Sequence, residues 1–509
     1  MSDKIVLRFA PSPTGPLHIG GVRTALYNYL LAKKTGGRFI LRIEDTDQNR
    51  YVEGAEEYII QALRWVGIEF NEGVGAGGEK GPYRQSERKS MYRQFADQLI
   101  ASDNAYYAFD TPEELDAMRE ELKAAGSSNL QYNFAVRGRM KNSLSLSKEE
   151  VAERLASGDP YVIRMKMPRK EEIRFHDMIR KWVVFQSNQL DDKILLKGDG
   201  MPTYHLANVV DDYHMGVTHV IRGEEWVSST PLHVMLYRSL GWENSMPVFI
   251  HLPLILNPNG KGKMSKRQGD KLGFSVFPTQ WKDPKTGDTS SGFREDGYLP
   301  EALMNFLALL GWNPGNEEEL MEEDRLVELF DLEKLNNSAT NFNIEKLNWF
   351  NQQYIRMKTE EELLVLVKPE LEAAGYRIPS DSFLLEVIRL LKERVTLLTD
   401  FIGQSKLFFE APTSFNEKMK KKHWKGEARD LMAAMKDKFS AIKDWKAENL
   451  KNAFEELLVE KEVGKGKILA PLRLVLTGEP SGPGAFDIAA VIGREETQSR
   501  MAHAIEHLA

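Results

Sequence analysis

The chain has 509 residues and no cysteine, so disulfide bonds and zinc sites built from thiolates are excluded. Its ten histidines are scattered, and none belongs to an HExxH pair of the kind that binds catalytic zinc. No run of about 18 apolar residues occurs, so no membrane-spanning helix is expected. The GxxxxGK[ST] loop is also missing, which excludes a Walker-type phosphate site.

What is present is an ordinary globular composition, with 42% hydrophobic and 28% charged residues. At roughly 100–200 residues per domain, the length predicts about three to five domains. The net charge of −7 argues against a general nucleic-acid binder but leaves room for one locally basic face. A motif that begins by Arg8 leaves no space for a cleavable leader, so a cytoplasmic protein is expected.

The first fifty residues predict strand, turn, helix and strand in that order. The apolar segment 4–9 leads into a proline-rich turn, a helical pattern over 20–34 ends at two glycines, and segment 38–43 is again strand-like and ends in acid. This order is typical of a parallel α/β sheet, in which ligands bind outside the carboxyl ends of the strands. From about residue 299 the pattern is helical throughout.

The first chemical motif is PSPTGPLHIGG, residues 11–21. His18 and Gly20 lie where the turn feeds a helix N-terminus, a place that collects unpaired amides and attracts phosphate. A glycine there lets a base or a phosphate approach the backbone, and His18 can donate to phosphate oxygens. Alone, the motif also fits a histidine that merely caps the helix.

The second motif is GKGKMSKRQGD, residues 260–270, in which Lys263, Lys266 and Arg267 share a glycine-flanked loop. No apolar periodicity buries these cations. Such a loop suits a mobile clamp on a polyphosphate, where it would stabilise the charge that builds on a leaving pyrophosphate. The alternative is a solvated basic loop.

Together, HIGG and KMSKR resemble the paired signatures of the class I aminoacyl-tRNA synthetases. Gly21 stands where the family more commonly has histidine, a departure that is frequent in the glutamyl branch. The surrounding segments look like glutamyl-tRNA synthetase along the whole chain, most closely over residues 4–350: RFAPSPTGPLHIGGVRTALYNYLLA, GRFILRIEDTD, GPYRQSER, PTYHLANVVDD, VIRGEEW and GYLPEALMNFLALLGW.

The resemblance implies an α/β fold with a parallel Rossmann-like catalytic sheet, an inserted α+β acceptor-binding domain and an all-α C-terminal region. The expected boundaries are 1–109 and 201–256 for the two halves of the catalytic domain, 110–200 for the insertion, 257–340 for the KMSKR loop and a stem-contact helical domain, and 341–509 for an all-helical anticodon-binding domain.

The implied reaction has two steps. ATP activates L-glutamate to glutamyl-adenylate, and the 3′-terminal adenosine of tRNA(Glu) then accepts the glutamyl group. Neither step needs a protein nucleophile, because positioning and electrostatic stabilisation of phosphate suffice. Mg²⁺ would arrive with ATP, and the cysteine-rich zinc site of some relatives is excluded. The residues expected to bind ATP are Thr14, His18, Gly20, Glu225, Trp226, Lys263, Met264, Ser265, Lys266 and Arg267, with His18, Gly20, Lys263 and Lys266 as the catalytic set.

Glutamate recognition requires groups for two carboxylates and one ammonium. A planar arginine fork suits the side-chain carboxylate, with Arg8 as the first candidate and Arg222 as the second. Glu44, at the end of the next strand, suits the ammonium, and Tyr204 and Asn208 share one helical face. With Ser12, these residues match the family's amino-acid-binding positions.

The C-terminal region resembles the anticodon-binding part of bacterial-type enzymes, and Arg394 is predicted to contact the third anticodon base. The lysine-rich segment 418–425 either touches RNA phosphate or is a solvated helix face. Residues 278–298 are predicted to form a long surface loop. The expected partners are tRNA(Glu), L-glutamate and ATP, without DNA or a membrane, and a monomer is the family's usual state.

Three other functions share part of this pattern. A nucleotidyltransferase has the same phosphate turn but lacks the long helical region and the glutamate-pocket set. A catalytically inactive tRNA-binding protein would not need intact HIGG and KMSKR motifs. A truncated relative that glutamylates a modified base has no anticodon domain, whereas this chain continues over 341–509.

Overall fold

The protein is described by a computed structural model that covers residues 4–265, 269 and 271–508. By its contacts the chain forms two compact units. The first comprises the residues up to Glu295 together with Leu303–Ile344, and the second comprises Asp296–Ala302 and Glu345–Ala509. Within the described ranges, no helix has both the length and the apolar character required to cross a bilayer.

The first unit is built on parallel strands, as predicted. Strand β1 (Val6–Phe9) pairs with β2 (Arg38–Leu41), and β2 pairs with β3 (Glu72–Gly73), all in parallel. Helix α1 (Ile19–Thr35) connects the first two strands and ends at Gly36, whose φ of 62° is one that glycine adopts without strain. The predicted strand–helix–strand opening is therefore confirmed.

A second sheet has the strand order β7-β6-β10-β9. Its strands are β6 (Glu172–Asp177), β7 (Lys181–Gln186), β9 (His219–Gly223) and β10 (Val248–Leu252); β10 runs parallel to β6 and to β9, and β7 is an antiparallel edge. Thr218 joins the two sheets, because its amide donates to the Val6 carbonyl and its hydroxyl accepts from the Val6 amide. The carboxyl ends of β1, β9 and β10 consequently share one edge.

Strands β4 (Ala105–Ala108), β5 (Val162–Met165) and β8 (Ile194–Leu196) form a separate antiparallel sheet within the segment predicted as the inserted domain and at its border. Strands β6 and β7 also lie between residues 110 and 200, and β6 pairs with β10. The predicted domain boundaries remain a prediction. The remaining helices of this half are α2 (Ala55–Val66), α3 (Lys89–Ala101), α4 (Pro112–Ala124), α5 (Lys148–Ser157), α6 (Tyr204–Met215) and α7 (Thr230–Ser239).

Residues 278–298 differ from the predicted loop. Strands β12 (Trp281–Lys282) and β13 (Thr289–Ser290) form an antiparallel hairpin, and the buried Trp281 ring meets Tyr58 edge-on at 5.1 Å between centroids. The polar composition of the segment concealed this anchor. A short strand pair also occurs between β11 (Ile255–Leu256) and β14 (Thr340–Asn341).

From residue 344 onward the described chain is helical, as predicted, whereas the prediction is wrong for much of residues 310–343, which include turns and the strand β14. Two helices precede residue 344, α8 (Pro300–Leu309) and α9 (Glu323–Leu329). The second unit then carries α10 (Ile344–Met357), α11 (Glu360–Ala373), α12 (Asp381–Leu391), α13 (Asp400–Phe409), α14 (Glu417–His423), α15 (Ala428–Ser440), α16 (Ala447–Glu460), α17 (Gly466–Thr477) and α18 (Ala485–His507).

Candidate active site

One cavity of about 690 Å³ lies at the carboxyl ends of β1, β9 and β10. Every described residue that the sequence predicted to bind ATP or glutamate lines it: Arg8, Ser12, Thr14, His18, Gly20, Glu44, Tyr204, Asn208, Arg222, Glu225, Trp226, Lys263, Met264 and Ser265. Lys266 and Arg267 fall outside the described residues. The fold therefore gathers residues that are more than 250 positions apart in the sequence, although their individual roles remain predictions.

His18 is the N-cap of α1, and its Nδ1 accepts a hydrogen bond of 3.0 Å from the Gly20 amide. Burial lowers the pKa of His18, and the nearby Lys263 lowers it further, so the ring is neutral at physiological pH. With Nδ1 acting as acceptor, the proton must reside on Nε2. His18 can therefore cap the helix and donate to phosphate at the same time, because Nδ1 serves the cap and Nε2–H is left to donate.

Gly21, the departure from the commoner family motif, is enclosed by its neighbours. A β-carbon built at this position would lie 2.4 Å from Leu17 Cδ1 and 3.7 Å from Phe9 Cζ. A larger residue at position 21 would therefore have to displace the end of the Leu17 side chain. At Gly20, by contrast, an added β-carbon would meet only the His18 ring, at 2.8 Å.

Lys263, the first lysine of the KMSKR motif, forms an ion pair of 2.9 Å with Glu225. Burial, the largest single cause, would raise the pKa of Glu225, but the hydrogen bond from Lys263, a backbone hydrogen bond and the nearby charges of Lys263 and His18 together lower it. Both side chains are almost half exposed, at 46% and 45%. Because the pair is well solvated, breaking it would cost little free energy.

A buried ionic cluster forms the wall at the end of β1 and β2. Arg42 is inaccessible to solvent and contacts Asp212 at 2.7 Å and Glu44 at 3.0 Å, while Arg8 Nε donates to Asp212 at 3.2 Å. Asn208 Nδ2 donates to Glu44 Oε1 at 2.9 Å. Nη1 and Nη2 of Arg8 and Oε2 of Glu44 make no hydrogen bond to the described residues. These three atoms are the polar groups that the cluster leaves for a ligand.

Arg222 has a different environment, made of neutral acceptors. Its Nε donates to His251 Nε2 at 3.0 Å, Nη1 to the Tyr204 hydroxyl at 2.9 Å, and Nη2 to Thr230 Oγ1 at 2.9 Å. His233 Nδ1 lies 3.5 Å from Nη1, and burial followed by the charge of Arg222 lowers the pKa of His233 well below its ordinary value. No carboxylate of the described chain contacts Arg222, so its positive charge has no direct counter-ion.

The charges around this end of the cavity do not cancel. Three guanidinium groups, those of Arg8, Arg42 and Arg222, face the two carboxylates of Glu44 and Asp212. Among these five groups, counted with both carboxylates ionised, one positive charge remains, and burial makes such an excess costly. A ligand that carries one net negative charge would balance it.

Sequence reasoning missed Arg42, Asp212 and His251. Arg42 directly follows the apolar residues of β2 in RFILRIEDTD, and Asp212 is the second acid of NVVDD. A charged residue next to an apolar run is one sequence feature that indicates a buried charge. His251 precedes Leu252 in an apolar strand, and only the pairing of β10 with β9 places it opposite Arg222.

A smaller pocket of about 440 Å³ adjoins the cavity on the far side of the 11–18 turn. Pro11, Ser12, Thr14 and His18 line both spaces, and Trp281 and Asp283 of the hairpin close the smaller one. The hairpin thereby forms one wall of a pocket that the predicted phosphate turn also lines. In the portion of the chain that is described, no group of three or more His, Asp or Glu side chains could hold a metal ion.

In the second unit, Arg394 is exposed and forms no side-chain ion pair with a described residue. Its charge lowers the pKa of Arg473, after burial, which is the larger cause. Arg473 Nη2 donates to the Pro483 carbonyl at 2.7 Å, while its Nη1 is buried without a partner among the described groups. Two like charges are therefore held near each other in this unit.

The fold and the family match of the catalytic region identify the protein as a class I tRNA synthetase. Residues 4–349 match the family model described as "tRNA synthetases class I (E and Q), catalytic domain", and residues 362–505 match "Anticodon binding domain".

Curated and solved relatives narrow the family. The glutamate–tRNA ligase of Cytophaga hutchinsonii is 55% identical over 99% of this chain and 98% of its own, and that of Amoebophilus asiaticus is 52% identical over 99% and 98%. A crystal structure of a glutamate tRNA ligase from Elizabethkingia meningosepticum, in complex with its amino acid, shares 50% identity over 100% of both chains, with a TM-score of 0.96. The chain belongs to the glutamate–tRNA ligase family.

Proposed function

We propose that the cavity binds L-glutamate and Mg²⁺–ATP side by side, and that the chain is a glutamate–tRNA ligase that forms glutamyl-adenylate and transfers the glutamyl group to the 3′-terminal adenosine of tRNA(Glu), releasing AMP and pyrophosphate. The single observation that carries this proposal is the cavity itself, where an excess guanidinium charge adjoins a phosphate-binding helix start. We further propose that the protein acts in the cytoplasm and as a monomer.

Glutamate would be held by the groups that the buried cluster leaves available. The Nη atoms of Arg8 form a planar fork for one carboxylate, and Glu44 Oε2 accepts from the ammonium. Burial raises the pKa of Tyr204 to about 12, so its hydroxyl is a proton donor, and Arg222 polarises it by donating to the oxygen. A second contact to a glutamate carboxylate would come from this hydroxyl and the charge of Arg222.

This arrangement explains how glutamate is distinguished from glutamine. Glutamate brings one net negative charge to a site with one excess positive charge, whereas glutamine brings none. A buried arginine would then stay underpaired, and sites built around such a charged hydrogen bond reject the uncharged analogue strongly. Isosteric shape alone could not give the same discrimination.

ATP would lie along the start of α1. The amides at the helix N-terminus and the Nε2–H of His18 point to phosphate oxygens, and Gly20 allows close approach to the backbone. Lys263 leaves Glu225 when the phosphates arrive, because three phosphate groups attract it more strongly than one solvated carboxylate. Its charge then stabilises the leaving pyrophosphate, together with the Mg²⁺ that enters with the substrate. Lys266 and Arg267 are proposed for the same role.

The glutamate α-carboxylate itself attacks the α-phosphorus of ATP, and the tRNA hydroxyl attacks the adenylate carbonyl. The protein's contribution is to hold these atoms in line in a site with little water. Arg394 is proposed to read the third anticodon base, and the nearby Arg473 is a candidate for an adjoining contact.

Glutamate-dependent exchange of labelled pyrophosphate into ATP, with and without total tRNA, tests the proposal. We expect exchange to require both glutamate and tRNA, and to fall at least about a hundredfold in Arg8→Ala, which removes the fork. Arg38→Ala is the matched control: Arg38 is ion-paired on the neighbouring strand and does not line the cavity. Absence of exchange in the unmodified protein under all conditions would contradict the enzymatic proposal. Exchange that survives Arg8→Ala would move the carboxylate contact to Arg222.

A further inference from the structure

Three residues stand in line across three parallel strands. In the pairing of β10 with β9, His251 lies directly opposite Arg222, and Asp177 ends the next strand, β6. His251 Nδ1 lies 2.6 Å from Asp177 Oδ2, and His251 Nε2 lies 3.0 Å from Arg222 Nε. The side chains of Asp177 and His251 are both inaccessible to solvent. The line runs from the interior of the sheet to the cavity.

The hydrogen bonds of Asp177 fix its protonation and orientation. Oδ1 accepts from the amides of Ile179 and Arg180, and Oδ2 accepts from the His251 amide and ring. Burial alone would raise the pKa of Asp177, but these hydrogen bonds, that from His251 foremost, lower it. Four donors converge on one carboxylate, so it is ionised and has no freedom to rotate.

This carboxylate dictates the tautomer of His251. Burial lowers the pKa of His251, and the hydrogen bond to Asp177 opposes that shift only in part, so the ring is neutral. Because Nδ1 must donate to the carboxylate, Nε2 carries the lone pair and accepts from Arg222. The opposite tautomer would place two N–H groups against each other at 3.0 Å.

We infer that Asp177 and His251 are positioning residues for glutamate binding, because together they present a fixed acceptor that orients the Arg222 guanidinium, and through it the Tyr204 hydroxyl, toward the cavity. The inference rests on the proposed role of Arg222. Neutral acceptors are what the position requires, since a carboxylate in direct contact with Arg222 would cancel the charge that the ligand is proposed to meet. In this line, the neutral His251 ring separates the Asp177 carboxylate from the Arg222 guanidinium.

Two substitutions of His251 separate this role from a merely structural one. Asparagine places an amide where Nδ1 lies, so His251→Asn can keep the bond to Asp177 but loses the acceptor for Arg222. Glutamine reaches the position of Nε2, so His251→Gln can supply a carbonyl oxygen to Arg222 but releases Asp177. A purely structural role predicts similar defects for both variants, or a worse one for glutamine.

The experiment is tRNA-dependent aminoacylation by the full chain, with KM determined separately for glutamate and for ATP. We expect His251→Asn to raise KM for glutamate about 10- to 100-fold while KM for ATP changes less than about twofold, and His251→Gln to recover most of the loss. Asp177→Asn should resemble His251→Asn. Asp192→Asn is the control, since Asp192 is an equally buried, arginine-paired carboxylate that does not line the cavity, and it should leave both KM values unchanged.

A double-variant cycle with Arg222→Gln completes the test. If His251 acts through Arg222, His251→Asn adds nothing to KM for glutamate in the Arg222→Gln background. Additive effects, equal KM values for the Asn and Gln variants, or parallel rises in both KM values would overturn the inference while leaving the role of Arg222 intact. An Arg222→Gln protein with normal KM for glutamate would instead overturn the proposed role of Arg222 itself, and the inference with it.

Discussion

The two units of this chain treat charge in opposite ways. The first unit buries arginines, carboxylates and histidines, among them Arg42, Asp177, Asp211, Asp212 and His251. In the second unit, Arg500 is the single Asp, Glu, Lys or Arg that is buried among the residues described. The contrast shows that the catalytic unit contains buried charges that are oriented in advance, although burying them costs free energy. The unit that is proposed to bind RNA has solvated charges instead.

The largest effect is expected from a substitution that breaks the buried ionic cluster. Arg42→Met should leave Glu44 and Asp212 insufficiently compensated in an apolar environment, which costs about 3–5 kcal/mol. Hydrogen exchange of the β1 and β2 amides should accelerate accordingly. In the second unit, Arg389→Met removes an exposed pair with Glu386 and should leave the protection of α12 nearly unchanged. Similar effects of the two substitutions would remove the contrast between the units.

The next effect concerns tRNA recognition and is expected to leave the stability of the protein unchanged. Arg394→Ala should reduce kcat/KM for tRNA by about tenfold or more, because a base contact by arginine contributes about 1–3 kcal/mol. The melting temperature and KM for glutamate and ATP should stay the same, since the side chain is exposed and lies in the unit that does not hold the cavity. Lys392→Ala, two positions earlier in the sequence, serves as the comparison variant. A rise in KM for glutamate would contradict the separation of tasks.

Acid should affect the first unit before the second. Burial lowers the pKa of His205 to about 4 and also lowers the pKa values of His233 and His251, so these rings stay neutral in the folded state. The unfolded chain takes up protons below about pH 6.5, so stability is fully present above that pH and falls below it, by about 1.4 kcal/mol per pH unit for each ring that stays neutral. Hydrogen exchange at pH 7.5 and 5.5, corrected for intrinsic rates, measures the difference, and His205→Gln should reduce the slope.

The smallest effect concerns the lysine-rich helix α14, where Lys421 and Lys422 are exposed and form no ion pair within the described chain. If the segment contacts RNA phosphate, replacing both residues by glutamine should weaken tRNA binding a few-fold and reduce the slope of log affinity against log salt by about 2. An unchanged salt slope would identify a solvated helix face. Thermal stability should be unaffected in either case.

Local sequence predicted the parts of the fold that are encoded locally. The first strand, helix α1 with its glycine end, and the shared face of Tyr204 and Asn208 all follow from short-range periodicity. The gathering of the predicted site residues in one cavity also followed, because carboxyl ends of parallel strands meet at one edge.

The features that the sequence could not predict depend on strand register and on packing between residues that are far apart in the sequence. The Asp177–His251–Arg222 line exists only because β6, β10 and β9 are aligned as they are. The hairpin in 278–298 depends on Trp281 meeting Tyr58, more than two hundred positions earlier, and its polar composition gave no sign of this contact. Arg42 and Asp212 are recognisable as partners only after a strand and a helix have come together.

Gly21 places a constraint on how this protein can change over time. Because a β-carbon at position 21 would come within 2.4 Å of Leu17 Cδ1, any larger residue there has to move the end of the Leu17 side chain. The two positions are therefore coupled, and a change at one of them alters which side chains the other can accommodate.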